Sequence, residues 1–366
     1  MNEQEPATST ESPEPSVSNG RIPGSVAPLR IMRRIHLRAA LVALVALGAI
    51  GSGTAYAATR ATSRPIGTGV VVVNTNLRYQ NASAAGTGIV LTSSGEILTN
   101  NHVIAGATTI RVVVPETTHT YTARVVGYST TADVAVLQLQ KASNLKTVKT
   151  GSASNLKLGA RVTAVGNAGG TGTLVSSRGT VTGLNKTITV QDDNGATERL
   201  TGLIETNATL QPGDSGGPLL NSSGRVVGID TAASSRSPFA SASSDGYAIP
   251  IGKATTISKQ IVSGKSSATV HIGATAFMGV QLGNGPSFAG QGTTIVGLVP
   301  GGPAAAAGLV PGDVITAVAG RAVSSPSDIE PIILAHKPGD NVTVTYADAS
   351  GLSRTASITL AIGPPQ

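Results

Sequence analysis

From Pro65 to about Ile251 the chain is a succession of short apolar runs broken by turn residues, and this pattern limits the fold more than any other feature. Gly69–Val73, Gly88–Leu91, Glu96–Thr99, Ile110–Val114, Tyr121–Val126 and Val134–Leu139 are predicted strands. Arg161–Gly166, Leu174–Leu184, Thr187–Val190, Leu200–Asn207, Pro218–Leu220, Arg225–Thr231 and Tyr247–Ile251 continue the series. Such runs are too short for stable helices and rich in β-branched residues. Ser93-Ser94-Gly95 and Asn221-Ser222-Ser223-Gly224 read as hairpin turns between them. Strands at this spacing form sandwiches or barrels. Aromatic residues make up only 2% of the chain, so the cores must be built from Ala, Val, Ile and Leu. The absence of Cys excludes a disulfide framework, thiolate metal sites and a cysteine nucleophile.

A length of 366 residues suggests two or three domains. Residues 1–38 read as a disordered cytoplasmic tail, acidic up to residue 29 and then basic at Arg30, Arg33, Arg34 and Arg38. Ala39–Ala58 carries no charge and is long enough to span a bilayer, with the arginines held on the cytoplasmic side. Ala55-Tyr56-Ala57 supplies the competing reading, a signal sequence cleaved near Ala57. Either reading places the rest of the chain outside the cytoplasm. Residues 59–262 form the main β unit, with Ala254–Val262 as a closing helix. Residues 263–276 read as a linker, and 277–366 as a second unit with one clear helix, Pro326–His336. The formal charge of +7 includes no basic stripe with interleaved aromatics, so no nucleic-acid partner is expected.

The chemistry centres on Gly213-Asp214-Ser215-Gly216-Gly217-Pro218-Leu219. Glycines on both sides of Ser215 permit a tight turn and close substrate approach. The N–H groups of Gly213, Asp214 and Ser215 are the candidates for an oxyanion hole. His102, in Thr99-Asn100-Asn101-His102-Val103, follows a strand end and is the candidate base. Asp133 heads the apolar run Val134–Leu139; a buried acid needs a partner, and an imidazole N–H supplies one. The chain order His102, Asp133, Ser215 fits a double β-barrel protease. An α/β-hydrolase would need acid and base after Ser215, for which Asp230 or Asp245 with His271 are the formal choices. Gly216-Gly217-Pro218 is a poor helix start for such an elbow. Gly166-Asn167-Ala168-Gly169-Gly170 lacks a P-loop ending and reads as a cleft loop. Asp192-Asp193-Asn194-Gly195 reads as a hairpin turn and not a Ca²⁺ loop. No cofactor or metal is expected.

Together the His102, Asp133 and Ser215 motifs resemble the HtrA/Deg family of trypsin-like serine proteases, over roughly Gly69–Ile362. Asp214 stands where many family members carry Asn. The resemblance implies a mainly β chain: a chymotrypsin-like double β-barrel followed by one PDZ domain, and preceded here by a transmembrane or signal helix. It implies an endopeptidase acting on exposed or misfolded polypeptides, with His102, Asp133 and Ser215 as the triad. It places Thr231, Ala232 and Ala233 along the substrate. Thr209, with Tyr247, Ala248 and Ile249, would form a neutral pocket for small or medium aliphatic residues. Phe277-Met278-Gly279-Val280 matches a PDZ carboxylate-binding loop, which would take peptide C-termini by strand addition, with Ile329 and Ile333 in the groove. The family also raises a homotrimer, although Arg60–Gln80 holds no diagnostic contact. A different class of protein, a PDZ-bearing chaperone or peptide-binding scaffold with an idle protease domain, remains the alternative.

Overall fold

The computed structural model describes residues 66–191, 197–233, 246–283 and 292–366. The N-terminal tail, the Ala39–Ala58 segment and the Asp192–Gly195 turn therefore lie outside the described residues. Among the described residues no helix is long and apolar enough to cross a membrane.

The first barrel comprises β1 (Val70–Leu77), β2 (Ala82–Val90), β3 (Glu96–Thr99), β4 (Thr109–Val114), β5 (His119–Ser129) and β6 (Val134–Leu139). A four-residue helix, α1 (Asn101–Ile104), lies between β3 and β4. The strands pair antiparallel in the order β5-β4-β1-β2-β3-β6, and β5–β6 pairing closes the ring. The second barrel is the closed ring of β7 (Arg161–Gly166), β8 (Val175–Gln191), β9 (Thr197–Thr206), β10 (Pro218–Asn221), β11 (Val226–Ala233) and β12 (Gly246–Pro250). Helix α2 (Ile251–Val262) follows.

Strand β6 shows why its sequence is nearly all apolar. Period-two alternation sends Ala135, Leu137 and Leu139 into the first barrel's core. Val134 and Val136 face the opposite way, into a second core shared with Leu203 and Ile229 of the second barrel and Ile251, Ala254 and Ile261 of α2. Both faces are buried, so the two barrels and α2 are joined by one continuous apolar seam.

Two elements differ from expectation. The predicted break between Leu184 and Thr187 is absent, and β8 runs unbroken across it. Asn185 instead takes a left-handed conformation (φ 55°), and the β8–β9 register shifts there, so the extra residue is absorbed as a bulge. The predicted linker carries structure as well: β13 (His271–Ile272) pairs with Gly127 and Tyr128 of β5. A side chain at position 127 would collide with the His271 carbonyl, which is why a glycine stands there.

The PDZ unit contains β14 (Thr275–Phe277), β15 (Val280–Leu282), β16 (Thr293–Leu298), α3 (Pro303–Ala306), β17 (Val314–Val318), β18 (Arg321–Ala322), α4 (Pro326–Leu334), β19 (Asn341–Ala347), β20 (Ser353–Thr359) and β21 (Ala361–Gly363). Strands β15-β16-β17-β19-β20 form one sheet, and β14 pairs with β21. Ser325 caps α4, and its own N–H donates to Asp328 Oδ2 at 2.9 Å in a reciprocal capping box. The helix stops at Leu334, two residues before the predicted end. The PDZ unit abuts the first barrel, where the Phe277 and Tyr79 rings stack with centroids 5.2 Å apart.

The seam and barrel cores make a direct test. Leu137→Ala removes a fully buried side chain and should lower unfolding free energy by about 2–5 kcal/mol. Urea denaturation should show a reduced midpoint at unchanged slope.

Candidate active site

His102 sits on α1 with its side chain 46% exposed, while the Asp133 side chain beside it is 2% exposed. Asp133 adopts a left-handed backbone (φ 51°), closed by its N–H donating to the Thr130 carbonyl at 2.9 Å. This turn at the head of β6 aims the carboxylate at α1. Its oxygens lie 2.9 and 3.0 Å from His102 Nδ1. Oδ1 also accepts the His102 backbone N–H at 3.0 Å, and Asn100 Nδ2 donates to the Asp133 carbonyl at 2.8 Å. On the far side, the Thr231 hydroxyl of β11 donates a hydrogen bond to Asp133 Oδ2. Asp133 is thus satisfied from both barrels, and the carboxylate is left to orient the imidazole.

The Ser215 turn is built on two glycines with positive φ. Gly213 (φ 99°) lies so close to the Asn167 carbonyl that a Cβ would strike it, and Gly216 (φ 86°) stands likewise against the Thr87 carbonyl. Thr87 of β2 stitches this second-barrel turn to the first barrel. Its hydroxyl donates to the Gly213 carbonyl at 2.7 Å and accepts the Asn167 N–H at 2.9 Å. Its N–H donates to the Ser215 carbonyl at 2.8 Å. The cleft loop expected at 166–170 braces the turn from the other side, Gly169 N–H donating to the Pro212 carbonyl at 2.8 Å. Ser215 Oγ donates to the Thr231 carbonyl at 3.3 Å. Thr231 therefore touches both Asp133 and Ser215, and the structure gathers His102, Asp133, Thr231 and Ser215 at the junction of the barrels.

Asp214 does not fit the oxyanion role expected of it. Its N–H is spent on the Gln211 carbonyl at 3.0 Å, and its Oδ2 accepts the Gln211 N–H at 2.9 Å, closing a local turn. Gly213 and Ser215 remain as the candidate donors. His271, the alternative base, is held on β13 against the Tyr128 ring, with centroids 4.9 Å apart.

Several predicted substrate residues fall elsewhere. Thr209 lines a pocket of about 120 Å³ with Ala168, Val175, Ser176, Gln211 and Asp214. Ala248 and Ile249 do not reach it, because both are fully buried in the second barrel and the intervening seam. The Tyr247 hydroxyl turns to Glu205 Oε1 at 3.1 Å. Ala232 and Ala233 lie on β11 beyond Thr231, pairing with Tyr247 and Gly246 of β12. In the PDZ unit Gly279 has φ 80°, and the Gly279 and Met278 carbonyls accept the N–H groups of Val299 and Ala304 at 3.0 and 2.9 Å. Val280 continues directly into β15, and Phe277 closes β14. Ile329 and Ile333, expected in a groove, are 4% and 7% exposed and pack in the PDZ core with Met278, because the helical period puts them on the core face of α4.

Asp230, which precedes Thr231, is fully buried, and neither of its carboxylate oxygens has a hydrogen-bond partner. Burial pushes its carboxyl well above the usual range, and nearby Asp214 adds to the rise. Burial also raises Asp214, partly offset by the Gln211 N–H. A raised folded-state value means Asp230 contributes stability at acid pH that is lost as pH climbs through that value. Asp230→Asn keeps the shape, removes the titration and offers an amide donor to Asp214. It should raise unfolding free energy at neutral pH by on the order of 1–3 kcal/mol. Melting curves of the two proteins should converge as the pH falls toward about 4.

Known proteins match this architecture. The trypsin-like peptidase domain family matches residues 86–229, and the PDZ domain family matches residues 276–357. The serine protease PepD of Mycobacterium tuberculosis is 35% identical over 305 residues, covering 80% of this chain and 63% of that protein. The chloroplastic Protease Do-like 1 of Arabidopsis thaliana is 36% identical over 277 residues, covering 71% of this chain and 60% of that protein. The chain thus spans under two thirds of both. The Serine protease Do-like HtrA of Lactococcus lactis is 32% identical over 292 residues, covering 76% of this chain and 71% of its own length. With its trypsin-like peptidase domain followed by a single PDZ domain, the chain belongs to the HtrA/Do family of serine proteases.

Proposed function

We propose that the chain is a serine endopeptidase acting on exposed or misfolded polypeptides outside the cytoplasm. The observation that carries this reading is the hydrogen-bonded line from Thr231 through Asp133 to His102, beside Ser215 on its glycine turn. Ser215 attacks the scissile carbonyl and His102 accepts its proton. His102 then returns that proton to the leaving amine, and water hydrolyses the acyl-enzyme. Asp133 holds the imidazole tautomer and stabilises the imidazolium. The N–H groups of Gly213 and Ser215 receive the oxyanion. The Ala39–Ala58 segment supports a membrane-anchored or exported chain. The PDZ loop at Phe277–Val280 takes peptide C-termini by strand addition, and a homotrimer is the assembly we expect from the family.

The Ser215–Thr231 hydrogen bond favours a second reading, in which the nucleophile is parked and the protein serves as a PDZ-bearing chaperone or scaffold. Casein digestion separates the two. The purified chain should cleave casein, and Ser215→Ala should abolish cleavage. Asp133→Asn should lower kcat by about 10⁴-fold, the cost of the wrong imidazole tautomer. Equal cleavage by the parent and Ser215→Ala proteins removes Ser215 from the reaction.

The Thr209 pocket presents Ala, Val, Ser, Thr and Gln side chains, and its one acid, Asp214, is bound into its own turn. We expect cleavage after small or medium aliphatic residues. A peptide library showing preferred cleavage after Arg or Lys would overturn that specificity.

A further inference from the structure

Helix α1 is too short to hold His102 by itself. It has four residues, and its Ala105 N–H bonds to the Asn101 carbonyl at 2.9 Å, a single turn of helix. One turn fixes three residues for one hydrogen bond and is unfavourable alone. External fasteners must therefore set its position. Val103 and Ile104 are buried in the first barrel's core. Asp133 holds the α1 start, through Asn100 Nδ2 at 2.8 Å and the His102 N–H at 3.0 Å.

The remaining fasteners come from Pro365 and Gln366, far away in the chain. Asn101 Nδ2 donates to the Gln366 carbonyl at 2.9 Å. Gly106 N–H, just past α1, donates to the Pro365 carbonyl at 2.8 Å. Gln366 N–H in turn donates to the Tyr128 hydroxyl at 3.3 Å, and that hydroxyl lies 3.1 Å from Thr275 Oγ1 at the start of β14. Pro364 and Pro365 are both buried. Two consecutive prolines have little backbone freedom to lose, so the strap arrives nearly preformed. It continues directly from β21, which is registered on β14, Thr275 opposite Gly363 and Phe277 opposite Ala361.

We infer that residues 364–366, with Asn101, are positioning residues for His102, and that the PDZ unit thereby forms part of the protease's catalytic scaffold. The strap grips α1 at both ends, through the Asn101 side chain before His102 and the Gly106 N–H after it. Asn101 is buried and its Oδ1 has no partner, so the bond to Gln366 anchors that side chain. Loosening it frees the helix to shift relative to Asp133 and Ser215 without emptying either barrel core.

This inference rests on the reading of His102 as the proton-transfer residue, and the test separates the two. Three variants of the full chain are compared with the parent: Asn101→Ala, a chain ending after Gly363, and the two changes combined. A serine-reactive phosphonate counts active sites, so any unfolded fraction is discounted. Each single change should lower kcat per titrated site by on the order of tenfold, with KM within about twofold, because a small misplacement of a catalytic group acts on the chemical step. The double variant should lose no more than the truncated chain alone, since truncation already removes the partner of Asn101. The acid limb of the kcat/KM profile should also move as the His102–Asp133 geometry relaxes. Unchanged kcat per site in either single variant overturns the inference, and so does additive loss in the double variant. Casein cleavage by the parent that survives Ser215→Ala would instead defeat the underlying protease reading.

Discussion

Strand β6 is buried on both faces, and the placement of His102, Asp133 and Ser215 follows from that. One face completes the first barrel; the other meets the second barrel and α2. Asp133 sits at the head of this strand, so its carboxylate is delivered to the boundary between the barrels. An acid in that position is costly unless fully bonded. It is bonded by the backbone and ring N–H groups of His102 from the first barrel and by Thr231 from the second. The apolar seam supplies the binding energy between barrels, while the polar contacts at its edge fix their register.

Thr87 plays the matching part for Ser215. A β2 threonine in the first barrel bonds Gly213, Asn167 and Ser215 of the second. Gly213 and Gly216 allow the backbone to come close enough for those bonds. The turn is therefore held by neighbours on both sides as well as by its own short-range hydrogen bonds. Beneath it lie Asp214 and Asp230, two acids whose burial disfavours charge. Asp230 retains its backbone bonds to Gly216 and Gly217, so the strand geometry there is maintained while the side chain stays unpartnered.

The barrel strands, the closing helix and the three motif segments were legible in the sequence because each is encoded locally. Alternating Val and Ile mark strands, and Gly-Asp-Ser-Gly-Gly marks a tight turn. The bulge at Asn185 was not legible, since its register depends on β9. The pocket around Thr209 was only partly so: Val175 and Ser176 reach it from β8 through barrel closure, while Ala248 and Ile249 are taken up by the separate cores on the two faces of β12. Ile329 and Ile333 looked like groove residues, yet the α4 period that made them visible also buries them.

What the sequence by itself determined was the kind of parts: β-rich barrels without disulfides, a serine flanked by glycines, one histidine and one aspartate with suitable neighbours, and a Phe-Met-Gly-Val loop. These depend on residue type and short spacing. Only the tertiary structure decided that Thr231 completes the Asp133 site, that Thr87 anchors the Ser215 turn, that Asp230 is buried without a partner, and that residues 365 and 366 bond the ends of the His102 helix. The physical reason is sequence separation. Contacts between residues about 100 to 265 positions apart arise from how barrels close and pack, and local pattern carries no record of that.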